Sequence, residues 1–214
     1  MSRFWSRRRL AQSGSIAVVF AAMPLAACAA PPARPRANLY QCDGCEAVYE
    51  ADAATLTASA FLAAHDEGEP LVLRGRVLDA DGTAPVAGVI VYAHHTNSDG
   101  YYANGDSNTV GGRRHGRLRG WVKSDQDGRY EFRTIKPAPY PDRTMPAHIH
   151  MMVLEESRRP YWIDEVVFEG EFGVDAAYRR RATNQGGGGV VRLQRLADGT
   201  QLAVRDIRLE RHPA

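Results

Sequence analysis

The sequence predicts an all-β protein: a β-sandwich of mostly antiparallel sheets, with one short N-terminal helix and long loops around a site. Three observations support this class. Short segments of alternating or continuous apolar residues recur along most of the chain. Asp-Gly turns separate several of them. Only one stretch has the alanine- and leucine-rich composition of a helix. The 214 residues are enough for one domain with a hydrophobic core.

The predicted helix covers Ala51–Ala64, and Gly68 and Pro70 end it. Eight strands are expected after it. They are Leu71–Leu78, Ala87–Tyr92, Arg119–Lys123, Arg129–Thr134, Ala147–Leu154, Ile163–Phe168, Val190–Leu196 and Gln201–Glu210. The third and fourth are expected to pair through the turn at residues 125–128, and the last two to form a hairpin about Asp198-Gly199. The glycines of 186–189 are interpreted as a flexible loop.

The first 27 residues have the pattern of an export signal. Four arginines precede an apolar run, Ser15–Ala27, which is shorter than the roughly 20 residues that span a bilayer. Without residues 1–27 the chain has 23 basic and 25 acidic residues, a balance that excludes a nucleic-acid-binding surface. We therefore expect an exported protein of the periplasm or cell envelope.

The apolar run ends in Leu25-Ala-Ala-Cys28, which resembles a bacterial lipobox, so Cys28 is expected to carry a lipid anchor. Residues 28–50 are then a lipidated tether and 51–214 the folded domain. A plain Ala-x-Ala cleavage site is the alternative, and Arg7-Arg8 leaves open export by the twin-arginine route. In an oxidising compartment Cys42 and Cys45 are expected to form a local disulfide.

His148 and His150 lie two residues apart in an apolar strand, where such side chains project from one face. Paired imidazoles on one face are typical of a metal site, although two satisfied core histidines would look the same. Tyrosines are candidate partners: Tyr140 in a proline-rich loop, and Tyr101 or Tyr102 after a turn. Phenolate is a hard anionic donor, so two tyrosines with two histidines suit a trivalent ion such as Fe(III) rather than zinc.

The segments Thr134-Ile-Lys-Pro-Ala-Pro-Tyr-Pro and Pro146-Ala-His-Ile-His resemble the intradiol ring-cleavage dioxygenases, the relatives of protocatechuate 3,4-dioxygenase and catechol 1,2-dioxygenase. The resemblance extends over residues 71–171. It implies a non-haem Fe(III) site on a β-sandwich, with Tyr102, Tyr140, His148 and His150 as ligands. The Gly-x-Tyr setting of the family selects Tyr102 over Tyr101.

The resemblance also implies an activity. A catechol would bind as a dianion and displace Tyr140, which would act as a base for a substrate proton. O₂ would then be incorporated, and the ring would be cleaved between its hydroxylated carbons to a muconate-type diacid. Two departures bear on this chemistry: Met145 replaces the usual arginine, and Glu165 lies where many relatives have glutamine.

Other residues are weaker candidates. One of His94 and His95 could face the site, and Trp121 could be core or pocket wall. The arginines of 113–119, with His115, are interpreted as a solvated basic loop. The alternative functions are a non-catalytic sandwich of the transthyretin-like or carboxypeptidase-associated kind, and an envelope lipoprotein whose histidines bind copper or zinc.

Overall fold

The computed structural model describes residues 35–63 and 66–213. The strands are β1 Ser59–Phe61, β2 Pro70–Leu78, β3 Ile90–His95, β4 Arg119–Lys123, β5 Arg129–Ile135, β6 His148–Leu154, β7 Tyr161–Phe168, β8 Val190–Val191, β9 Gln194–Arg195, β10 Gln201–Val204 and β11 Ile207–Arg208. The helices are a 3₁₀ turn at Cys45–Glu50, α1 Val110–His115 and α2 Ala176–Arg181.

The strands form two sheets that face each other. The first has the order β1-β5-β2-β10-β9, with β11 also paired to β2, and the second has the order β4-β3-β6-β7-β8. Alternate side chains of the inner strands fill the space between them, including Leu73 of β2, Phe132 of β5, Val91 of β3 and Met151 of β6. The predicted β-sandwich is confirmed. Five of the nine described strand pairings are antiparallel.

The helix predicted for 51–64 is wrong. Asp52 forms a turn instead, in which its Oδ1 accepts the Ala54 amide at 2.9 Å. Beyond it, the carbonyl of Ala58 accepts the Glu131 amide at 2.8 Å, and the following β1 lies parallel to β5. The segment thus covers the edge of β5, where an unpaired backbone would otherwise remain. This tertiary demand outweighs the intrinsic helix preference of alanine.

The expected pairing of Arg119–Lys123 with Arg129–Thr134 is also wrong. β4 pairs with β3, whereas β5 pairs with β2 in the opposite sheet. Val122 and Phe132 both belong to the core between the sheets. A hairpin would put both strands in one sheet, so the chain crosses to the other sheet at the turn.

The prediction of a closing hairpin is confirmed only for its central part. β9 and β10 are antiparallel, with Leu202 opposite Gln194. Val190–Val191 instead pairs in parallel with β7, and Ile207–Arg208 pairs in parallel with β2. These short parallel pairs extend both sheets. The alternation of apolar residues within one strand does not reveal which strand it pairs with.

Residues 39–50, which were predicted to be part of a tether, belong to the folded domain. Leu39 is buried in the main core, and Ala47 and Val48 are buried against Tyr92 and Met152 on the outer face of the second sheet. This face is where the predicted site lies. The export signal and Cys28 fall outside the described residues. Within those residues, no helix is long and apolar enough to cross a membrane.

Candidate metal centre

Strand β6 presents His148 and His150 from the outer face of the second sheet. The two Nε2 atoms are 3.0 Å apart. Nδ1 of His148 lies 2.7 Å from the carbonyl oxygen of Pro146, which can only accept, so Nδ1 carries the hydrogen. The Nε2 lone pair of His148 then points towards His150. This arrangement, in which a backbone carbonyl orients the imidazole, is typical of metal-binding histidines.

Two loops bring the tyrosines to the histidines. The Tyr102 and Tyr140 hydroxyls are 2.9 Å apart, and the Tyr140 hydroxyl is 3.4 Å from Nε2 of His148. Four donor atoms of the predicted residues therefore lie in one continuous cluster. Tyr101 lies outside it, with 59% of its surface exposed.

Gly100 explains why the tyrosine loops can meet. Its φ is +84°, and a Cβ at this position would lie 2.1 Å from the carbonyl oxygen of Pro139. Only glycine fits both the left-handed backbone and this close approach. The Oγ1 of Thr96 also donates to the Ala138 carbonyl at 2.8 Å, which adds a second contact between the two loops.

Burial favours the uncharged forms of Tyr102 and His150 in the absence of a cation. It raises the pKa of Tyr102, and the hydrogen bond with Tyr140 raises it further. Burial, reinforced by the neighbouring histidines, lowers the pKa of His150 to about 3. Both of these groups are therefore held in their neutral forms. A bound cation reverses the preference of the phenols for their protonated form. The donor set of two phenol oxygens and two imidazole nitrogens fits a hard trivalent ion.

His94 and His115 extend the cluster away from the tyrosines. His94 is opposite His150 across the β3–β6 ladder, and the centroids of their rings are 4.7 Å apart. The His115 ring stacks on His94, and its Nδ1 lies 2.8 Å from the Tyr92 hydroxyl. Of the pair His94 and His95, it is His94 that faces the site. His95 lies against Thr134, with Nε2 2.6 Å from the hydroxyl.

Trp162 of β7 closes one wall of the cluster. Its ring centroid is 5.4 Å from that of His150, and its Nε1 donates to the carbonyl of Asp43 at 3.2 Å. Asp43 lies between Cys42 and Cys45, which are joined in a disulfide. The disulfide loop is therefore part of the cover over the site. Trp121 is half-buried and donates to the Ala47 carbonyl at 3.0 Å, so it supports the same cover.

The basic segment 113–119 is not a freely solvated loop. Arg119 forms a partly buried ion pair with Glu50 at 2.5 Å. Arg114 and Arg117 pair with Asp43 and Asp66. Glu50 Oε1 also accepts the Gly111 amide at 2.7 Å, which fixes the start of α1. Burial raises the pKa of Glu50, but the hydrogen bonds that the Gly111 amide and Arg119 donate to its carboxylate lower it by a larger amount. The net effect is a pKa below the ordinary value.

A β-bulge in β7 lies opposite the histidine strand. Ile149 pairs with Val166 and Met151 with Ile163, so the single residue His150 is opposite both Asp164 and Glu165. Such two-against-one bulges redirect side chains and are frequent beside active sites. Glu165 and Met145 line a cavity of about 290 Å³ next to α2.

Several of these residues were missed at the level of sequence. The sequence pattern does not single out His115, Trp162 or Glu50 as site residues. Trp162 carries a usable signal, since it directly precedes the predicted strand Ile163–Phe168. Glu50 and His115 carry none, because their partners are far away in the chain.

The fold and donor cluster define a β-sandwich protein with a tyrosine- and histidine-lined centre, and sequence comparisons agree with this class. Residues 46–178 match the model of a family described as dioxygenase. Catechol 1,2-dioxygenase 1 of Acinetobacter lwoffii is 37% identical over 110 residues, which cover 44% of this chain and 34% of that protein. The protocatechuate 3,4-dioxygenase beta chain of Burkholderia cepacia is 30% identical over 129 residues, 54% of this chain and 52% of the relative.

Solved structures show the same fold. The dioxygenase domain of a dioxygenase carbohydrate-binding protein fusion from Streptomyces sp. SirexAA-E aligns with a TM-score of 0.52 and 22% identity, covering 72% of this chain and 88% of that domain. Catechol 1,2-dioxygenase from Pseudomonas arvilla C-1 aligns with a TM-score of 0.54 and 23% identity, over 72% of this chain and 56% of the other.

The chain belongs to the intradiol ring-cleavage dioxygenase family. It spans between 34% and 55% of the length of the first three curated relatives it matches.

Proposed function

We propose that this protein is an exported, non-haem Fe(III) dioxygenase. It cleaves a catecholic ring between the two hydroxylated carbons, and both atoms of O₂ enter the product, a muconate-type diacid. The observation that carries the proposal is the convergence of Tyr102, Tyr140, His148 and His150 at one point on the outer face of the second sheet. These four residues are the proposed iron ligands.

The chemistry that Fe(III) supplies when bound is withdrawal of electron density from the catecholate, which makes the ring reactive towards O₂. The protein's own residues bind and orient the substrate. His148 and His150 come from an inner strand, whereas Tyr102 and Tyr140 both lie on loops and are half-buried. A tyrosine is therefore better placed than a histidine to leave and to accept a proton at its hydroxyl oxygen from the catechol, and the family resemblance assigns this role to Tyr140.

The cover over the site limits the access of water. Trp162, the disulfide loop and the 3₁₀ turn lie over the histidines. Their packing keeps His94 buried, with only 3% of its surface exposed. In a site of this kind, electrostatic interactions with a bound anion are stronger than in open solvent.

The proposal includes export and anchoring. The apolar run that ends at Cys28 supports cleavage before this cysteine and attachment of a lipid to its thiol. Membrane contact would then be through the N-terminal lipid. Metabolic labelling with a fatty acid tests it: label is expected in the wild type and not in Cys28→Ser, and an unlabelled wild type would show plain secretion.

Metal analysis is the first experiment on the function. Protein purified without added metal should contain iron near one equivalent and show a visible band from tyrosinate-to-Fe(III) charge transfer. Copper or zinc at that level would instead support the metal-binding lipoprotein. An iron-loaded but colourless protein would rule out tyrosinate ligation.

Oxygen uptake with catechol, hydroxyquinol and protocatechuate is the second experiment. Uptake with at least one of them, and its loss in Tyr140→Phe, is expected. If Tyr140→Phe retained the protein's full function, a non-catalytic binding module would be the better description. The non-catalytic alternative is tested because Met145 replaces the arginine that the family usually has at this position.

A further inference from the structure

The cavity beside α2 is lined by none of the proposed iron ligands, but two of its walls are connected to the histidine strand. Its walls come from the loop before β6, the bulge of β7 and α2, and their lining residues are Met145, Asp164, Glu165, Tyr178, Arg181, Ala182 and Thr183. Met145 is three residues before His148, and the bulge is directly opposite His150. Its volume of about 290 Å³ is at the small end of known ligand sites.

Glu165 is the one carboxylate in the cavity wall with unused hydrogen-bonding capacity. Both carboxylate oxygens of Asp164 are taken, one by the Thr183 hydroxyl and the other by the Asn184 amide at 2.7 Å. The Oε1 of Glu165 accepts the Tyr178 hydroxyl at 3.2 Å. The Oε2 of Glu165 accepts no hydrogen bond from the described residues, and Glu165 forms no ion pair with them.

No side chain of the described residues pairs with the Glu165 carboxylate as an ion pair. Arg205 is buried and donates to the backbone carbonyl of Asp164 rather than to the carboxylate of Glu165. Arg181 is on the exposed last turn of α2, at the rim, where solvent screens it. The opposite wall, with Met145, is apolar. A half-buried carboxylate facing an apolar wall attracts a hydrogen-bond donor and repels a second anion.

We infer that this cavity receives the ring substituent of the substrate, and that Glu165 selects substituents that donate a hydrogen bond, a hydroxyl or an ammonium group, over carboxylates. The inference rests on the proposed function, since it assumes that a catechol is held by the four-ligand cluster. The connection between the cluster and the cavity is the β6–β7 ladder, in which the bulge residues lie opposite His150. The substrate class is thus a hydroxylated or amino-substituted catechol.

The test compares four ligands with the iron-loaded full chain. They are catechol, hydroxyquinol, 4-(2-aminoethyl)catechol and protocatechuate. Dissociation constants are measured by calorimetry without oxygen, and kcat/KM by oxygen uptake. The dissociation constant and the kcat/KM of each substituted ligand are divided by the values for catechol. Catechol is the reference because it has no ring substituent besides its two hydroxyls. In the wild type, the hydroxyl- and amine-bearing ligands should bind at least about tenfold more tightly than protocatechuate.

Two variants and a control isolate the carboxylate. Glu165→Gln keeps the shape and removes the charge, and the preference over protocatechuate should fall about tenfold. Met145→Arg adds a cation to the cavity and should shift the preference towards protocatechuate. Glu156→Gln, an exposed position in the turn after β6, should leave the preference as in the wild type.

The outcomes separate the two claims. If catechol binds and is cleaved but Glu165→Gln and Met145→Arg leave the ligand order unchanged, the inference is overturned and the proposed function stands. A wild-type preference for protocatechuate would also overturn it, and would point to Arg181 or to a separate cavity that is lined by Tyr102 and Arg113. If no ligand binds to the iron-loaded chain, the proposed function and the inference both fail.

Discussion

The imidazole rings of His94 and His115 stack face to face, with centroids 3.9 Å apart and planes only 4° from parallel. His94 also stacks on His150, so three histidine rings form a column that ends at one of the proposed ligands. Neither ring nitrogen of His94 has a hydrogen-bond partner among the described residues. A buried polar group without a partner is costly and infrequent in folded proteins.

Replacing His94 with phenylalanine should therefore cost little. In metal-free protein, His94→Phe keeps a flat ring in the stack and removes the unpaired nitrogens, so its unfolding free energy should equal or exceed the wild-type value by up to about 1 kcal/mol. His94→Ala leaves a cavity and should lose about 2 kcal/mol or more. Urea unfolding followed by circular dichroism measures both. A Phe variant as unstable as the Ala variant would mean that the nitrogens of His94 are bonded.

Tyr101 and Tyr102 form a natural matched pair for testing the proposed ligands. Tyr102→Phe removes an oxygen of the cluster and should abolish or strongly shift the visible band of the iron-loaded protein. Tyr101→Phe should leave the band unchanged, since this side chain is largely exposed. Absorption spectra at equal iron content provide the comparison. The opposite result would identify Tyr101 as the ligand.

His95 should make the domain less stable in acid. Its complete burial lowers its pKa to about 4, from an ordinary value of 6.5. Below pH 6.5 the unfolded chain binds a proton at this position while the folded chain does not. The contribution of neutral His95 to the unfolding free energy is thus fully present above pH 6.5. It is lost as the pH falls towards 4, by up to about 3 kcal/mol.

The variant His95→Gln isolates this effect. Glutamine does not titrate, so the gap in unfolding free energy between the wild type and the variant should narrow as the pH falls from 7 to 4.5. Urea titrations of the metal-free proteins at several pH values measure it. A gap that stays constant with pH would mean that another group accounts for the acid sensitivity.

Reduction of the disulfide should weaken the domain measurably. A loop as short as the one closed by Cys42 and Cys45 restricts the unfolded chain by about 2 kcal/mol. Unfolding of the wild type with and without a phosphine reductant should differ by this amount. The Cys42→Ser/Cys45→Ser double variant is the control, and its unfolding should not respond to the reductant. Equal wild-type curves would show that the disulfide does not contribute.

Much of the architecture was predictable because its signals are local. The strand at 119–123 has the predicted bounds, and the strands around Leu73 and His150 differ from the predictions by only one residue. The pairing of strands was less predictable. The turn after Lys123 resembles a hairpin turn, yet the chain changes sheets there, because Val122 and Phe132 must enter one core from opposite sides.

The candidate site shows the same division. Two residues of a strand separated by one position share a face whatever the rest of the fold, so His148 and His150 could be paired from the sequence alone. The choice of Tyr102 depended on a family resemblance. Its geometric reason, the close approach of Gly100 to the Pro139 carbonyl, is visible only when both loops are in place.

By itself, the sequence determined the sandwich class, the histidine pair, the tyrosine candidates and the cysteine pair, because periodicity and short spacings act within a few residues. Only the tertiary structure decided that residues 51–63 form turns and an edge strand, that His115 and Trp162 line the site, and that a bulge with Glu165 lies opposite His150. These features depend on contacts between segments far apart in the chain. Such contacts form only when the two sheets pack and every buried backbone group must find its partner.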